Sequence, residues 1–531
     1  MPEPKHPETV AAYERHGGNI SAVSRELGIS RASVRRHVLK AGKMKKPLVG
    51  GSIKGTLTAS RPLPARGEVT RYILTSAQNN TKVHQRVWEN LLALREHYKA
   101  ELLVGTFSYN KNAYGELAVK RGTKGAYQDH LWYDSQLSSY LQDARIELAP
   151  GLVWCGEMNI QPTAVDPLEG LETYSGRDCG IFPHAKHAMR SIATMMGHGA
   201  KINYTTGTVT QRNYIQKKAG LVAEHHHSYG GLVVEVDSDG VWFVRQLDAD
   251  DKGRIYDLDL CVADGKVTSG HRVEAINWGD IHAPTIDVTN CMMPALRKRD
   301  GMLDFLRPSK QFMHDIMEGV WTNHHGAKDP HERFKAHLRG LATVADERDM
   351  VAGVLKAYAR PWAEMIVVDS NHDGQWLYRW LKEHDYRQDP HNAVFFLELQ
   401  LAVYKALEAE NADFNIIETV MRTADIPKIR FLKTDESYTI CNGRIECGMH
   451  GHLGPDGARG SSANLAKQGR RANIGHLHSA GIFNGLYVAG TSTTLSMGYN
   501  KGPSSWSHSH VVTYANGKRA IITMYAGKWR A

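Results

Sequence analysis

The chain has 531 residues, 42% hydrophobic and 23% charged, the composition of a globular protein too long for one compact domain, so two or three domains are expected. No apolar run approaches the eighteen or so residues of a membrane span, and the opening Met-Pro-Glu-Pro-Lys-His has no apolar signal core; neither membrane insertion nor classical export is expected, and a cytoplasmic location is. Sixty-five basic against 56 acidic residues give a net charge of +9, which suits a polyanionic partner because Lys and Arg release counterions condensed on phosphates.

The first 42 residues predict short helices. Pro7 to His16 carries Val10, Ala11 and Tyr13, Gly17-Gly18-Asn19 interrupts it, and Ser21 to Leu27 follows. After Gly28-Ile29, Ser30 is placed to cap a helix from Arg31 to about Lys40. This succession resembles the short resolvase-type helix-turn-helix, with Ile20, Val23, Leu27, Ile29 and Val34 as its core. On that resemblance Arg31, Ser33, Arg35, Arg36 and His37 lie on or beside a helix that enters the DNA groove; a protein-docking helical module is the alternative. Residues 43–67, rich in Lys, Gly, Ser, Thr and Pro, read as a basic linker that either contacts nucleic acid or only keeps the chain solvated.

Between 68 and 265, apolar runs (Arg71 to Ser76, Glu101 to Phe107, Gly151 to Cys155, Leu232 to Val236, Val241 to Val244) alternate with helical stretches such as Val83 to Lys99, which predicts a mixed α/β domain. Its role is not legible, and the His225-His226-His227 triplet suits a structural role better than ligand contact. No internal repeat is evident. Six cysteines (Cys155, Cys179, Cys261, Cys291, Cys441, Cys447) form no C-x-x-C pair, which disfavours a disulfide scaffold and a zinc ribbon.

The 28 histidines stand out, because neutral imidazole is the commonest ligand of transition metals. From residue 266 onward they fall with carboxylates at the ends of predicted strands. Val273 to Trp278 ends in Gly279-Asp280-Ile281-His282, and Gln311 to Met313 runs into His314-Asp315. Glu364 to Val368 ends in Asp369-Ser370-Asn371-His372-Asp373, Ile445 to Met449 leads to His450-Gly451-His452, and Ala472 to Ile474 leads to Gly475-His476-Leu477-His478.

In order, D-x-H, a second Asp, N-H-D, an isolated His and G-H-x-H resemble the calcineurin-like metallophosphoesterases over about 266 to 500. The resemblance implies an α/β protein whose residues 266–531 form a four-layer αββα sandwich, preceded by the mixed α/β domain and the small all-α helix-turn-helix. It also implies two divalent cations, manganese favoured with iron, zinc and magnesium compatible, that share an activated hydroxide and clamp a phosphoryl group. Asp280, His282 and His478 would bind one cation and Asn371, His450 and His476 the other, with Asp315 bridging. His372 would protonate the leaving oxygen or stabilise the charge developing on the phosphate, with Asp373 as its nearest acidic neighbour. Asp300 and Asp304 remain weaker candidates for the bridge, His452 for the isolated His, and His324, His325 and His331 for substrate contact.

The helix-turn-helix, the basic linker and Arg470-Arg471 beside the G-H-x-H motif point to DNA as substrate, which makes a nuclease of the SbcD type the nearest enzymatic analogy. Met449 to Arg459 and Thr206-Gly-Thr-Val-Thr210 are similar to the pre-early DNA transfer proteins of T-five-like bacteriophages, a resemblance that implies host DNA degradation in the host cytoplasm by a homo-oligomer. A DNA-binding scaffold with an idle phosphoesterase domain, or a phosphatase acting on nucleotides or phosphoproteins, are the alternatives.

Overall fold

The computed structural model describes residues 6–16, 20–30, 33–34, 37–38, 59–109, 132–320 and 329–531. Two compact units are present. In the N-terminal unit α1 (His6–Arg15) packs on α2 (Ile20–Leu27), and residues 33–34 and 37–38 are again helical. Ala12, Val23, Val34 and Val38 are buried, with Leu27 and Ile29 against them, so the predicted helix-turn-helix core closes around Val23 and Val34. Ser30 Oγ accepts the Ser33 N–H at 3.0 Å, the cap expected from the sequence. The side chain of Ile20, the arginines Arg31, Arg35 and Arg36, and the linker as far as residue 58 lie outside the described residues.

The second unit begins with β1 (Ala59–Ser60), β2 (Val69–Gln78), α3 (Gln85–Tyr98) and β3 (Glu101–Phe107). Next come β4 (Arg145–Ala149), β5 (Leu152–Cys155), β6 (Cys179–Phe182), β7 (Met189–Ile192), β8 (Lys201–Thr205) and α4 (Lys218–His225). The hairpin β9 (Gly230–Asp237) and β10 (Trp242–Asp248) leads into the short meander β11 (Ile255–Asp257), β12 (Leu260–Ala263) and β13 (Lys266–Thr268). The chain continues through β14 (Ala275–Asn277), α5 (Met293–Leu296), α6 (Met302–Leu306), β15 (Lys310–Met313), α7 (Pro330–Leu338), α8 (Val344–Tyr358) and β16 (Glu364–Val367). After α9 (Gly374–Glu383), α10 (Ala393–Glu408), α11 (Ile416–Met421) and β17 (Arg430–Phe431) come β18 (Thr439–Ile440), β19 (Ile445–Glu446), α12 (Ser462–Leu465) and β20 (Arg471–Ile474). The last strands are β21 (Gly481–Phe483), β22 (Leu486–Val488), β23 (Ser509–Thr513) and β24 (Arg519–Thr523).

The protein is α/β. A six-stranded sheet has the order β17-β16-β15-β14-β23-β24 and a four-stranded one β10-β9-β2-β3. An eleven-stranded sheet, β1-β4-β5-β6-β8-β7-β21-β22-β20-β19-β18, packs against both. Leu74, Leu232 and Val234 of the small sheet meet Trp154, Ile181 and Tyr204 of the large one, while Phe312 and Ile366 of the six-stranded sheet meet Ile440 and Ile445. Because side chains alternate along a strand, Ile276, Met313 and Val367 face the other way and bury under Leu355, Leu377 and Val420 of α8, α9 and α11. On α3, Val87, Trp88, Leu91 and Leu94 form the apolar stripe that covers the outer face of β2 and β3.

Two expectations need correction. The boundary at 265/266 does not separate compact units, because β7 pairs with β21 and so joins strands from both segments in one sheet. The fourth, helical layer expected over 266–531 is reduced, at β20 and β22, to the single turn α12, whose Leu465 covers Ala472, Ile474, Leu486 and Val488. Those strand faces are small, and the loop residues Met449 and Leu477 complete their cover.

Candidate metal centre

The parallel strands β14, β15 and β16 end side by side, and beyond them the loops continue in register: Ile281 N–H donates to His314 O at 2.9 Å and His282 N–H to Asp315 O at 2.7 Å. This pairing sets Asp280, His282 and Asp315 together, fully buried. From the large sheet, β20 delivers Gly475-His476-Leu477-His478. A side chain at Gly475 would collide with Asp280 Oδ1 and the His314 ring, so the glycine of that motif makes room for the carboxylate. The His476 N–H donates to Asp280 Oδ2 at 2.8 Å and so fixes its orientation.

Ligand-type atoms then converge. His478 Nε2 lies 3.0 Å from Asp280 Oδ2 and 3.3 Å from His282 Nε2, and His282 Nε2 is 3.4 Å from Asp315 Oδ2. The same Asp315 oxygen is 3.1 Å from His450 Nε2, and Asp315, His450 and His476 form a second cluster. Asp315 is therefore the carboxylate shared by two groups of imidazoles. Asn371 Oδ1 is buried and, among the described residues, accepts no hydrogen bond, as suits an amide oxygen reserved for a cation. His282, Asp315, His476 and His478 all have positive φ (36°, 44°, 70° and 55°), a conformation that non-glycine residues adopt only when the surroundings impose it.

The charges agree with this donor set. Burial alone would raise Asp280, but His450 and His478 outweigh it and hold the carboxyl down at about 2. Burial opposes charge on His282, yet Glu318, Asp315 and Asp280 push it up to about 10. Burial, with the His450 charge adding to it, pushes His476 and His314 down to about 4. Two carboxylates, one amide, imidazoles and no thiolate would suit manganese, iron or zinc.

The weaker alternatives lie elsewhere. Asp304 is held by Arg360 at 2.7 Å, and Asp300 is exposed beside Arg297. His452 is outside the clusters, its ring 5.4 Å from that of His450. His331 is exposed at the start of α7, and His324 and His325 lie outside the described residues. In the triplet, His227 Nδ1 pairs with the Tyr214 hydroxyl at 2.8 Å, a structural role.

One assignment changes. Asp373 is not the acidic neighbour of His372: its carboxylate accepts the N–H groups of Ile316 (3.2 Å) and Met317 (2.9 Å) and the Ser370 hydroxyl (2.9 Å), anchoring the loop after Asp315. The neighbour is Glu318, whose carboxylate is 3.9 Å from His372 Nδ1 and whose carbonyl lies 3.3 Å from it. Glu318 Oε2 also sits 2.6 Å from His282 Nδ1, the arrangement that orients a ligating histidine. Glu347 on α8 takes the amides of Glu318, Gly319 and Val320 at 2.6, 2.7 and 3.0 Å. Sequence reading missed both glutamates; the signal available for Glu318 was its place three residues after Asp315.

Two clefts flank the centre. One of about 410 Å³ is lined by Asn371, His372, Arg379 and Lys382, the other, about 490 Å³, by His450, His452, Lys433 and Arg470. Arg470 is half-exposed and pairs with Glu446 at 3.3 Å, whereas exposed Arg471 starts β20, the strand that delivers the histidines from its far end. In the N-terminal unit Ser33 bonds Ser30, and His37 Nδ1 meets Thr9 Oγ1 at 3.0 Å, so the His37 ring is engaged in helix packing.

Residues 10–40 match the family model described as bacterial regulatory protein, Fis family. Over 474 residues, 87% of this chain and 83% of the relative, the sequence is 37% identical to Protein A1 of Escherichia phage T5. No solved structure matches. Among the described residues, no helix is long and apolar enough to cross a membrane.

Proposed function

The chain belongs to the bacteriophage protein family of Protein A1 of Escherichia phage T5, and from that premise we propose that it is a divalent-metal-dependent phosphodiesterase of the calcineurin-like type whose substrate is DNA. The observation that carries the reading is the Asp315 carboxylate lying between His282 and His450, with Asp280 and His478 on one side and His476 on the other. Two sheets packed face to face under α8, α9 and α11 support the sandwich architecture.

Asp280, His282 and His478 would hold one cation and Asn371, His450 and His476 the other, with Asp315 shared. When bound, the pair supplies Lewis acidity at the phosphoryl oxygens and an acidified water for in-line attack. The protein's own groups do the rest. His476 N–H fixes Asp280, Asp373 and Glu347 anchor the loop that carries Asp315, and Glu318 orients His282. His372 Nδ1 is directed at the Glu318 carbonyl, which leaves Nε2 to deliver a proton to the leaving oxygen. DNA is favoured over small phosphoesters by the Fis-type helix-turn-helix and by Arg379, Lys382, Lys433 and Arg470 in the flanking clefts.

Plasmid and linear DNA cleavage, with and without manganese, tests this on the wild type beside Asp315→Ala and His372→Ala. Metal-dependent cutting is expected, lost in both variants, with His372→Ala still binding manganese. DNA bound but never cut would favour the idle scaffold, and faster turnover of para-nitrophenyl phosphate than of DNA would favour the phosphatase.

A further inference from the structure

The four-stranded sheet β10-β9-β2-β3 and the first four strands of β24-β23-β14-β15-β16-β17 have the same chain order and polarity: an antiparallel hairpin, an antiparallel neighbour, then a parallel one. The eleven-stranded sheet is also double. From one side β4-β5-β6-β8-β7 runs antiparallel, parallel, parallel, antiparallel, and from the other β18-β19-β20-β22-β21 does the same. The two series meet where β7 pairs with β21, their own equivalents. Met189, the strand partner of Tyr204, pairs with Ile482, the strand partner of Tyr487, so two equivalent positions face each other across the seam, the signature of a two-fold relation. The equivalent strands β10 and β24 also meet, Ile521 N–H donating to Gln246 Oε1 at 2.8 Å.

The correspondence extends to side chains. Tyr-x-x-Gly-Thr-x-Thr occurs at 204–210 and again at 487–493. In the first copy Thr208 Oγ1 donates to Ser76 O (2.8 Å) and meets Thr210 Oγ1 (3.0 Å), while Val209 N–H donates to Ser76 O (3.0 Å). In the second Thr491 Oγ1 donates to Asp280 O (3.2 Å) and meets Thr493 Oγ1 (2.9 Å), while Ser492 N–H donates to Asp280 O (2.8 Å). Ser76 is thereby equivalent to Asp280, and two residues on, Gln78 to His282. The strand register pairs Ser76 with Gly105, as the extension of β14 and β15 sets Asp280 beside Asp315. After β5 the run Cys155-Gly156-Glu157-Met158-Asn159 echoes Cys447-Gly448-Met449-His450, and after β6 Pro183-His184-Ala185-Lys186 stands for Gly475-His476-Leu477-His478.

We infer that the chain is a fused pair of one fold related by an approximate two-fold axis, in which the first copy has been stripped of its metal ligands and serves as the structural partner of the second. Five of six matched ligand positions, Asp280, His282, Asp315, His450 and His478, are replaced by Ser76, Gln78, Gly105, Asn159 and Lys186. The sixth, His184, is committed: its Nδ1 accepts the Lys186 N–H at 3.0 Å and its Nε2 lies 3.2 Å from Gln161 O. Lys186 has become a clamp between the copies, its ammonium donating to Val165 O at 2.7 Å and to Asn484 Oδ1 of the second copy at 2.9 Å. Among the described residues, every cluster of His, Asp and Glu able to hold an ion lies in the second copy.

The assignment of the one remaining centre rests on the metal-dependent reading above; the duplication does not. Calorimetric titration of the full chain with manganese should give two ions per chain, both lost in Asp280→Asn/Asp315→Asn and both kept in His184→Ala. Ions that persist in the double variant and vanish when His184→Ala is added would overturn the stripped copy, whereas a wild type that binds no manganese would sink the metal reading instead. The duplication is tested on metal-free protein: Thr208→Val and Thr491→Val should lower the melting temperature by similar amounts. A neutral Thr208→Val beside a destabilising Thr491→Val would refute the equivalence.

Discussion

Glu318 offers the sharpest test of the proposed centre, because on that reading it would act on the cations through His282. Its Oε2 lies 2.6 Å from His282 Nδ1, both groups are buried, and the loop that carries it is held by Glu347. A hydrogen bond to a charged group contributes about 1.5–3 kcal/mol, which at about 1.4 kcal/mol per tenfold corresponds to roughly 10- to 150-fold in affinity. Loss of a partner that orients a ligating histidine costs about 10- to 100-fold, so the two arguments agree. Glu318→Gln keeps an acceptor of the same reach, and Met317 O, 3.2 Å from His282 Nδ1, is a second one, so manganese binding should weaken about tenfold. Glu318→Leu removes the acceptor and should approach the hundredfold end of that range. Calorimetric manganese titrations, with melts of the metal-free variants as control for folding, measure this directly. Saturating manganese should restore much of the cleavage rate. A correctly folded Glu318→Leu that binds manganese like the wild type would refute the reasoning, since His282 would then be oriented without the carboxylate.

Removing residues 1–42 should weaken DNA binding, measured by fluorescence anisotropy, while sparing hydrolysis of bis-para-nitrophenyl phosphate; loss of both would make the segment part of the core. Manganese binding should release protons, because the neighbouring carboxylates hold His282 up at about 10 and His450 above its usual value, so affinity should rise with pH; calorimetric heats independent of buffer ionisation would contradict this. Arg245 is buried between Glu235 (2.7 Å) and Asp257 (2.8 Å), and Arg245→Met should cost about 3–5 kcal/mol in urea unfolding by leaving the carboxylates unpaired. Burial alone would raise Glu235, but Arg245 and Arg71 hold it below its ordinary 4.5, so its contribution is present above that pH and lost as the pH falls further; a pH-independent stability from 6 down to about 3 would count against it.

The candidate metal centre was legible because each candidate ligand follows a buried strand and strand ends share one edge of a sheet. Asp280, His282, Asp315, Asn371, His450, His476 and His478 could therefore be grouped from motif order, and the structure brings together the six His and Asp among them. What motif order does not carry is the surroundings of a ligand. Asp373 looked like the partner of His372 because it is adjacent in sequence, but its own backbone, at φ −103° and ψ −97°, and the amides of Ile316 and Met317 turn its carboxylate the other way. Glu347 comes from a helix almost thirty residues after the amides it holds, and no local pattern announces such a pairing.

The duplicated fold was hidden for a different reason. A repeat is read from side chains at a fixed period, and here the separation between equivalents grows from Ser76 and Asp280 to His184 and His476, then shrinks at Tyr204 and Tyr487, because the copies carry insertions of different length. What the copies share is mostly backbone pairing, together with the threonine ladder that hydrogen-bonds the end of β2 in one copy and the chain just beyond β14 in the other. Those contacts are made to main-chain carbonyls and need no cation, so they are present in the copy that lacks the ligands. The ligand positions have no such constraint in the first copy: Ser76 and Lys186 stand where the second copy has Asp280 and His478, while Trp154, Tyr204, Ile482 and Tyr487 share the core that joins the two halves of the large sheet. Ligand inventory therefore separates the copy that could hold cations from the one that could not, strand order argues that there are two, and the structural role proposed for residues 69–248 needs both.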